Sequence, residues 1–135
     1  MSMTVKELMN EPTAIVGATH TLRQAATRMM QHNAGAAVVL DPSLQGPAII
    51  AERHITRAIA QGLDVDIERV EDHMRADLVV AAPDWSVREA GVLMVKRGVR
   101  HVLVFDNGEL IGVLSMRDVV RALGFEAAPV ESTTG

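Results

Sequence analysis

The spacing of apolar residues predicts one amphipathic helix in each half of the chain. In the first half, apolar residues recur at intervals of three and four residues: Leu22, Ala25, Ala26, Met29 and Met30. The equivalent positions in the second half are Val87, Ala90, Gly91, Met94 and Val95. Such a stripe is typical of a helix that packs one face against a core. We therefore expect Met29, Met30 and Met94 to fill space between helices.

Each predicted helix has a start signal and leads into two strands and a shorter helix. Thr19 or Thr21 begins the first long helix and Ser86 the second, because a hydroxyl can accept hydrogen bonds from the first free amides. Strands are predicted at 36–40, 102–105 and 110–114, with Asn107-Gly108 as a hairpin turn. The shorter helices are predicted at 52–61 and 116–123.

The two halves are copies of one sequence. A shift of 65 places Val5 on Val70 and Arg23 on Arg88, and a shift of 64 places Arg53 on Arg117. Each copy has only about 55 residues, too few to bury a generous core alone, so the copies are expected to pack together. The predicted fold is α+β, with two strand-helix-strand-strand-helix repeats. The predicted boundaries are 1–62 for the first repeat, 63–69 for a polar linker, 70–123 for the second repeat and 124–135 for a mobile tail.

Composition and charge limit the classes of function that the chain can have. The chain has 135 residues, is 48% hydrophobic and carries a net charge of -4. No segment concentrates Lys and Arg, so nucleic acid is a poor candidate partner. No stretch reaches 18 apolar residues and the N-terminus lacks the features of a leader peptide, so we expect a cytoplasmic protein with no membrane partner. There is no cysteine, and the five histidines lack zinc-site spacing.

Two sequence segments in the second copy resemble those of a known family. These are VRHVLVFD at 99–106 and GVLSMRD at 112–118. With the order of elements and the duplication, they resemble a tandem pair of cystathionine-β-synthase (CBS) domains, over nearly the whole chain outside the tail. The resemblance implies two repeats packed through their sheets with pseudo-twofold symmetry and two clefts that can hold adenine nucleotides. It also implies a homodimer of such pairs.

The second copy has suitable chemistry for such a ligand at Ser115 and Asp118. They lie three residues apart at a strand-to-helix junction, so both side chains point toward one small volume. A carboxylate can accept hydrogen bonds from two vicinal hydroxyls, and Asp118 matches the ribose-binding position of the family. The Ser115 hydroxyl and the first helix amides suit a phosphate. The same Ser-x-x-Asp spacing is also that of a capping box, in which both side chains satisfy only the backbone.

The other expected contacts come from both copies. Arg100 and His101 match positions from which family members reach phosphate, and a guanidinium binds phosphate well. Arg117 completes the predicted set in the second copy. The resemblance assigns the apolar wall for the base to the opposite copy, around Thr13, Ala14 and Ala34.

The first copy departs from this pattern. Ala51 and His54 stand where the second copy has Ser115 and Asp118, and Gly35 and Ala36 stand in place of Arg100 and His101. Losing several polar contacts should weaken nucleotide binding by orders of magnitude. We expect one working cleft and one degenerate cleft, which is empty or accepts something apolar or anionic through Arg53 and His54.

Three functions from different classes follow. The first is a stand-alone regulatory (Bateman) module that needs no cofactor and binds an adenosine-containing ligand such as AMP, ADP, ATP, NAD(H) or S-adenosylmethionine, acting on an unknown protein partner. The second is a ligand-free scaffold for dimerisation or protein interaction. The third is an enzyme, for which no phosphate-binding glycine motif, nucleophile motif or metal-ligand spacing is present. The regulatory module fits the local features best.

Overall fold

The computed structural model describes residues 3–11, 14–76 and 78–124. Thr13 and all but the first residue of the predicted tail, 125–135, lie outside the described residues. The elements in chain order are α1 (Val5–Leu8), β1 (Ile15–Val16), α2 (Leu22–Gln31), β2 (Ala36–Val39), β3 (Ala48–Ala51), α3 (Glu52–Ala60), a 3₁₀ turn (Val70–Asp72), β4 (Val80–Ala81), α4 (Val87–Arg97), β5 (His101–Asp106), β6 (Glu109–Ser115) and α5 (Met116–Ala122).

The strands form two three-stranded sheets with the same topology. In one sheet β1 pairs parallel with β2, and β2 pairs antiparallel with β3. In the other, β4 pairs parallel with β5, and β5 pairs antiparallel with β6. Each parallel pair is joined by a long helix, because parallel neighbours need a crossover connection. The predicted α+β fold with two equivalent repeats is therefore confirmed.

The compact units of the structure cross the boundaries of the sequence repeats. Residues 12–78 form one unit, here called the continuous unit; residues 1–11 and 79–135 form the other, the split unit. Helix α1 belongs to the split unit, where Val5 N donates to Trp85 O at 2.8 Å. The equivalent 3₁₀ turn belongs to the continuous unit, where Val70 N donates to His20 O at 2.8 Å. The first residues of each repeat thus join the sheet of the other.

The long helices begin at the predicted hydroxyl residues but bury fewer positions than predicted. Thr21 and Ser86 are the N-caps of α2 and α4. Met29 and Met94 are buried, but Met30 is 81% exposed and its equivalent Val95 is 72% exposed, so their predicted burial is wrong. Both occupy the eighth position after the first buried residue, about 100° around the helix axis from the centre of the buried face.

The connections between elements follow local chemistry. Asn107 and Gly108 both have positive φ, 52° and 79°, and form the predicted tight turn between β5 and β6. The predicted linker, 63–69, is bound to the start of α2: Arg23 N donates to Val65 O at 3.0 Å, and the Arg23 side chain pairs with Asp66. This segment is therefore an integral part of the continuous unit.

Candidate functional site

Ser115 and Asp118 are in contact at the junction between β6 and α5. Ser115 is the N-cap of α5, and its Oγ accepts a hydrogen bond from Asp118 N at 3.1 Å. The same hydroxyl donates to Asp118 Oδ2 at 2.8 Å. Both residues are half-buried. The serine therefore caps the helix and also holds the carboxylate in one orientation.

Asn10 is a third member of this site. Its Nδ2 donates to Asp118 Oδ2 at 3.1 Å. A two-residue bridge positions it, because Asn10 N donates to Val113 O at 2.9 Å and Val113 N donates to Asn10 O at 2.8 Å. The sequence analysis missed Asn10, which lies more than 100 residues from Asp118 in the chain. The only signal was the repeat alignment, which places Asn10 on Arg75.

Gly112 explains how the N-terminal segment reaches the site. A Cβ atom at this position would lie 2.9 Å from Met9 Cγ and 3.2 Å from the backbone oxygen of Asn10. Real Cβ atoms essentially never come closer than 3.0 Å to another heavy atom. Glycine at this position therefore leaves room for the Met9 side chain, while the backbone oxygen of Asn10 lies close to β6.

Arg100 and His101 lie beside the same junction. His101 is the register partner of Ser115 in the β5–β6 ladder, and Met116 N donates to Arg100 O at 2.8 Å. His101 is half-buried, whereas Arg100 and Arg117 are exposed. The structure thus brings the five predicted residues of the second repeat to one end of this sheet. An acceptor carboxylate flanked by cationic side chains can bind a ligand that carries both hydroxyl groups and a phosphate.

The residues assigned to the base belong to the continuous unit. Ala14 is buried, and its backbone oxygen accepts a hydrogen bond from Val38 N at 2.8 Å. Ala34 is half-buried, and its N donates to Met29 O at 2.9 Å. Their contribution, with that of Thr13, to binding a base stays a prediction from the sequence.

The equivalent junction of the continuous unit has different chemistry. Ala51 N donates to His54 Nδ1 at 2.9 Å, so His54 takes the place of Asp118 in contacting the helix start. His54 is only 8% exposed. Burial, and to a smaller extent the positive charges of Arg53, Arg57, Arg75 and His73, together lower the pKa of His54 to about 4. The imidazole is therefore neutral at pH 7, with its proton on Nε2.

The bridge that positions Asn10 also recurs. Arg75 N donates to Ile49 O at 2.8 Å, and Ile49 N donates to Arg75 O at 2.9 Å. Arg75 and His54 are therefore the counterparts of Asn10 and Asp118. They line a cavity of about 470 Å³ together with Arg53, Arg57 and the segment 73–76.

The described parts of the chain contain neither a metal-ligand cluster nor a membrane-spanning helix. Within residues 3–11, 14–76 and 78–124, no group of three or more His, Asp or Glu side chains is placed to hold a metal ion. No helix in those ranges has both the length and the apolar character needed to cross a membrane.

The fold and the two equivalent strand-to-helix junctions define a tandem-repeat α+β protein. The family model of the CBS domain matches residues 5–61 and 70–124. The chain belongs to the CBS domain family, which confirms the resemblance seen in the sequence.

Three relatives illustrate the similarity. An uncharacterized 17.7 kDa protein of Acidianus ambivalens is 35% identical over 124 residues, which are 91% of this chain and 74% of the relative. A CBS-domain protein of Agrobacterium tumefaciens has a crystal structure with TM-score 0.81 and 30% identity, covering 91% of this chain and 95% of that one. A CBS domain protein of Pyrobaculum aerophilum complexed with AMP has TM-score 0.76 and 34% identity, covering 86% and 89%.

Proposed function

We propose that this protein is a non-enzymatic regulatory module whose split unit binds an adenosine-containing ligand at Ser115 and Asp118. The observation that carries the proposal is the Asp118 carboxylate, which Ser115 and Asn10 hold through two hydrogen bonds to Oδ2. The Pyrobaculum aerophilum relative complexed with AMP supports the choice of ligand class, because it shares 34% identity with this chain.

Each side chain has a role that follows from its chemistry. A carboxylate has about four acceptor positions, so Asp118 keeps capacity for the two ribose hydroxyls after accepting from Ser115 and Asn10. Arg100 is exposed beside the junction, where its guanidinium can bind phosphate through two parallel hydrogen bonds. His101 and Arg117 add donors around the same group. Because the carboxylate is already oriented, less conformational entropy is lost on binding.

Self-association is part of the proposal. Met30 and Val95 occupy equivalent positions of the two repeats and are 81% and 72% exposed. Val92 on α4, Val120 on α5 and Leu123 directly after α5 are also exposed. Contiguous apolar groups are typical of protein interaction surfaces, so these exposed side chains are the proposed contacts of the homodimer that the family resemblance implies.

One observation favours a ligand-free scaffold instead. Ser115 and Asp118 already satisfy each other and the start of α5, as a capping pair with no ligand would. Under this alternative, removing the Asp118 carboxylate changes helix stability but no binding equilibrium. The two functions therefore predict different results for one variant.

Ligand-dependent melting of the purified chain tests the proposal. AMP, ADP, ATP, NADH and S-adenosylmethionine would be added separately to the wild type, to Asp118→Ala and to Asp106→Ala. Asp106 is the control, since it is an exposed carboxylate of the same sheet. A ligand at about 100 times its Kd should add roughly 2.7 kcal/mol of stability, a shift of several degrees.

The expected result is a shift with one ligand that Asp106→Ala retains and Asp118→Ala loses. Losing hydrogen bonds to a charged group should weaken binding by about tenfold or more, measurable by calorimetry. No shift with any ligand, or equal affinity in both variants, would overturn the proposal in favour of the scaffold.

A further inference from the structure

The cavity of the continuous unit concentrates positive charge. Helix α3 contributes the cations Arg53 and Arg57 and the neutral His54, and the segment 73–76 contributes Arg75 and His73. Its volume of about 470 Å³ is within the range of small-molecule sites. No aspartate or glutamate is among its lining residues in the described part of the chain. The cavity is therefore suited to an anion.

Two of the arginines share one face of α3. Arg53 and Arg57 are four residues apart, which places their side chains on adjacent turns. Both are exposed, and neither forms an ion pair within residues 3–11, 14–76 and 78–124. Like charges at this spacing repel each other, so an anion between them removes an unfavourable interaction.

Backbone and side-chain contacts hold the other lining segment, 73–76, in place. The two hydrogen bonds between Arg75 and Ile49 anchor the segment to the edge of β3. His73 Nε2 lies 2.7 Å from Glu68 Oε1, so Glu68 is the carboxylate that orients this histidine. The segment that lines the cavity together with α3 is therefore fixed by contacts within the continuous unit.

His54 supplies a neutral donor within this charged environment. Its Nδ1 accepts from Ala51 N, which leaves the proton on Nε2. The positive charges that help lower its pKa are those of the cavity itself: Arg53, Arg57, Arg75 and His73. An anion that bound there would screen these charges and raise the pKa of His54.

We propose that this basic cavity binds linked phosphate groups, as in inorganic pyrophosphate or a phosphoanhydride, through Arg53 and Arg57. Planar guanidinium groups bind phosphate through paired hydrogen bonds. Several cations around one cavity match a ligand with several negative charges better than a single phosphate. The position equivalent to Asp118 is a histidine, so no carboxylate is available for ribose hydroxyls. The ligand is recognised by its phosphates alone, independently of the proposed adenosine site.

Calorimetric titration of the full chain with pyrophosphate at low salt tests the inference. The test variant is Arg53→Gln with Arg57→Gln, and the control is Arg88→Gln with Arg97→Gln. The control removes the same charge from exposed positions of α4 in the split unit. Pyrophosphate should bind the wild type and the control alike and bind the test variant about tenfold or more weakly. Asp118→Ala should bind pyrophosphate as the wild type does.

Four results would overturn the inference. These are no binding to the wild type, equal affinity in the test and control variants, equal binding of citrate and pyrophosphate, and loss of pyrophosphate binding in Asp118→Ala. The last would place the ligand in the split unit, while leaving the adenosine proposal to its own experiment. NMR titration of the His54 ring is an independent readout, because bound pyrophosphate should raise its pKa from about 4.

Discussion

The two units carry opposite chemistry at equivalent points of the same backbone. In the split unit, Asn10 donates to the carboxylate of Asp118. In the continuous unit, the corresponding positions hold Arg75 and His54, and the site is a basic cavity. The two-residue bridge that positions Asn10 has its equivalent at Arg75. A duplicated scaffold can therefore present two different ligand chemistries with few changes of side chain.

The features that stay the same are equally informative. Both α3 and α5 follow directly from the last strand of their sheet. Arg53 and Arg57 also have arginine counterparts two and six residues after the N-cap Ser115, namely Arg117 and Arg121. The arginine pair therefore belongs to both repeats. The two sites differ at the N-cap, at the residue three positions after it, at the residue in the bridge, and at Gly35 and Ala36 in place of Arg100 and His101.

The largest expected effect concerns the close approach of the N-terminal segment to β6. Gly112→Val should destabilise the protein by about 3 kcal/mol, at the upper end of typical overpacking, because the backbone of Asn10 cannot move aside without breaking its bridge. Gly46→Val is the matched control, since nothing lies within 4 Å of its Cβ position. Urea unfolding measures both. The first repeat accepts the Cβ of Ala48 at the equivalent position, so the cost is expected from the two γ-methyl groups of valine. Equal costs in the two variants would show that the close approach at Gly112 is not limiting.

An effect of intermediate size is the pH dependence of stability that His54 gives to the continuous unit. The pKa of His54 is about 4 in the folded chain, below its ordinary 6.5, so the unfolded chain binds the proton more tightly. The contribution of neutral His54 to the free energy of unfolding should be fully present above pH 6.5. It should fall as the pH drops toward 4, by roughly 2 kcal/mol at pH 5.

The matched variant for this prediction is His54→Asn. Its side-chain oxygen can still accept from Ala51 N, but the residue does not titrate. Thermal unfolding between pH 5 and 7 should show a smaller loss of stability in His54→Asn than in the wild type. A parallel decline in both proteins would show that other groups control this pH range.

The smallest expected effect exchanges the helix caps. Ser115→Ala removes a hydroxyl that accepts from Asp118 N and should cost about 1 kcal/mol. Ala51→Ser supplies that acceptor to α3 and should add up to about 1 kcal/mol. Chemical denaturation of the two variants measures both changes in the free energy of unfolding. A loss in both would mean that packing around the buried Ala51 outweighs the cap.

Local sequence signals predicted much of the fold. The N-caps Thr21 and Ser86 and the turn at Asn107-Gly108 are confirmed. They were predictable because each depends on hydrogen bonds or backbone angles within a few residues. The prediction that Met30 is buried was wrong. Helical spacing shows where the buried face of a helix is centred, but the width of that face depends on what packs against it.

The candidate site was only partly predictable. Ser115 and Asp118 were found because they lie on one turn of one helix. Asn10 was missed because its contact with Asp118 depends on a bridge between distant parts of the chain. Arg75 was missed for the same reason, although Arg53 and His54 had been named as contacts for an apolar or anionic ligand if the cleft is not empty.

The sequence by itself determined the duplication, the order of helices and strands, and the difference between Ser115 with Asp118 and Ala51 with His54. These features are set by local propensity and by residue identity. The tertiary structure alone decided which segment completes each site. That assignment depends on long-range backbone pairing and on close contacts such as that of Gly112 with Met9, and no short-range pattern encodes them.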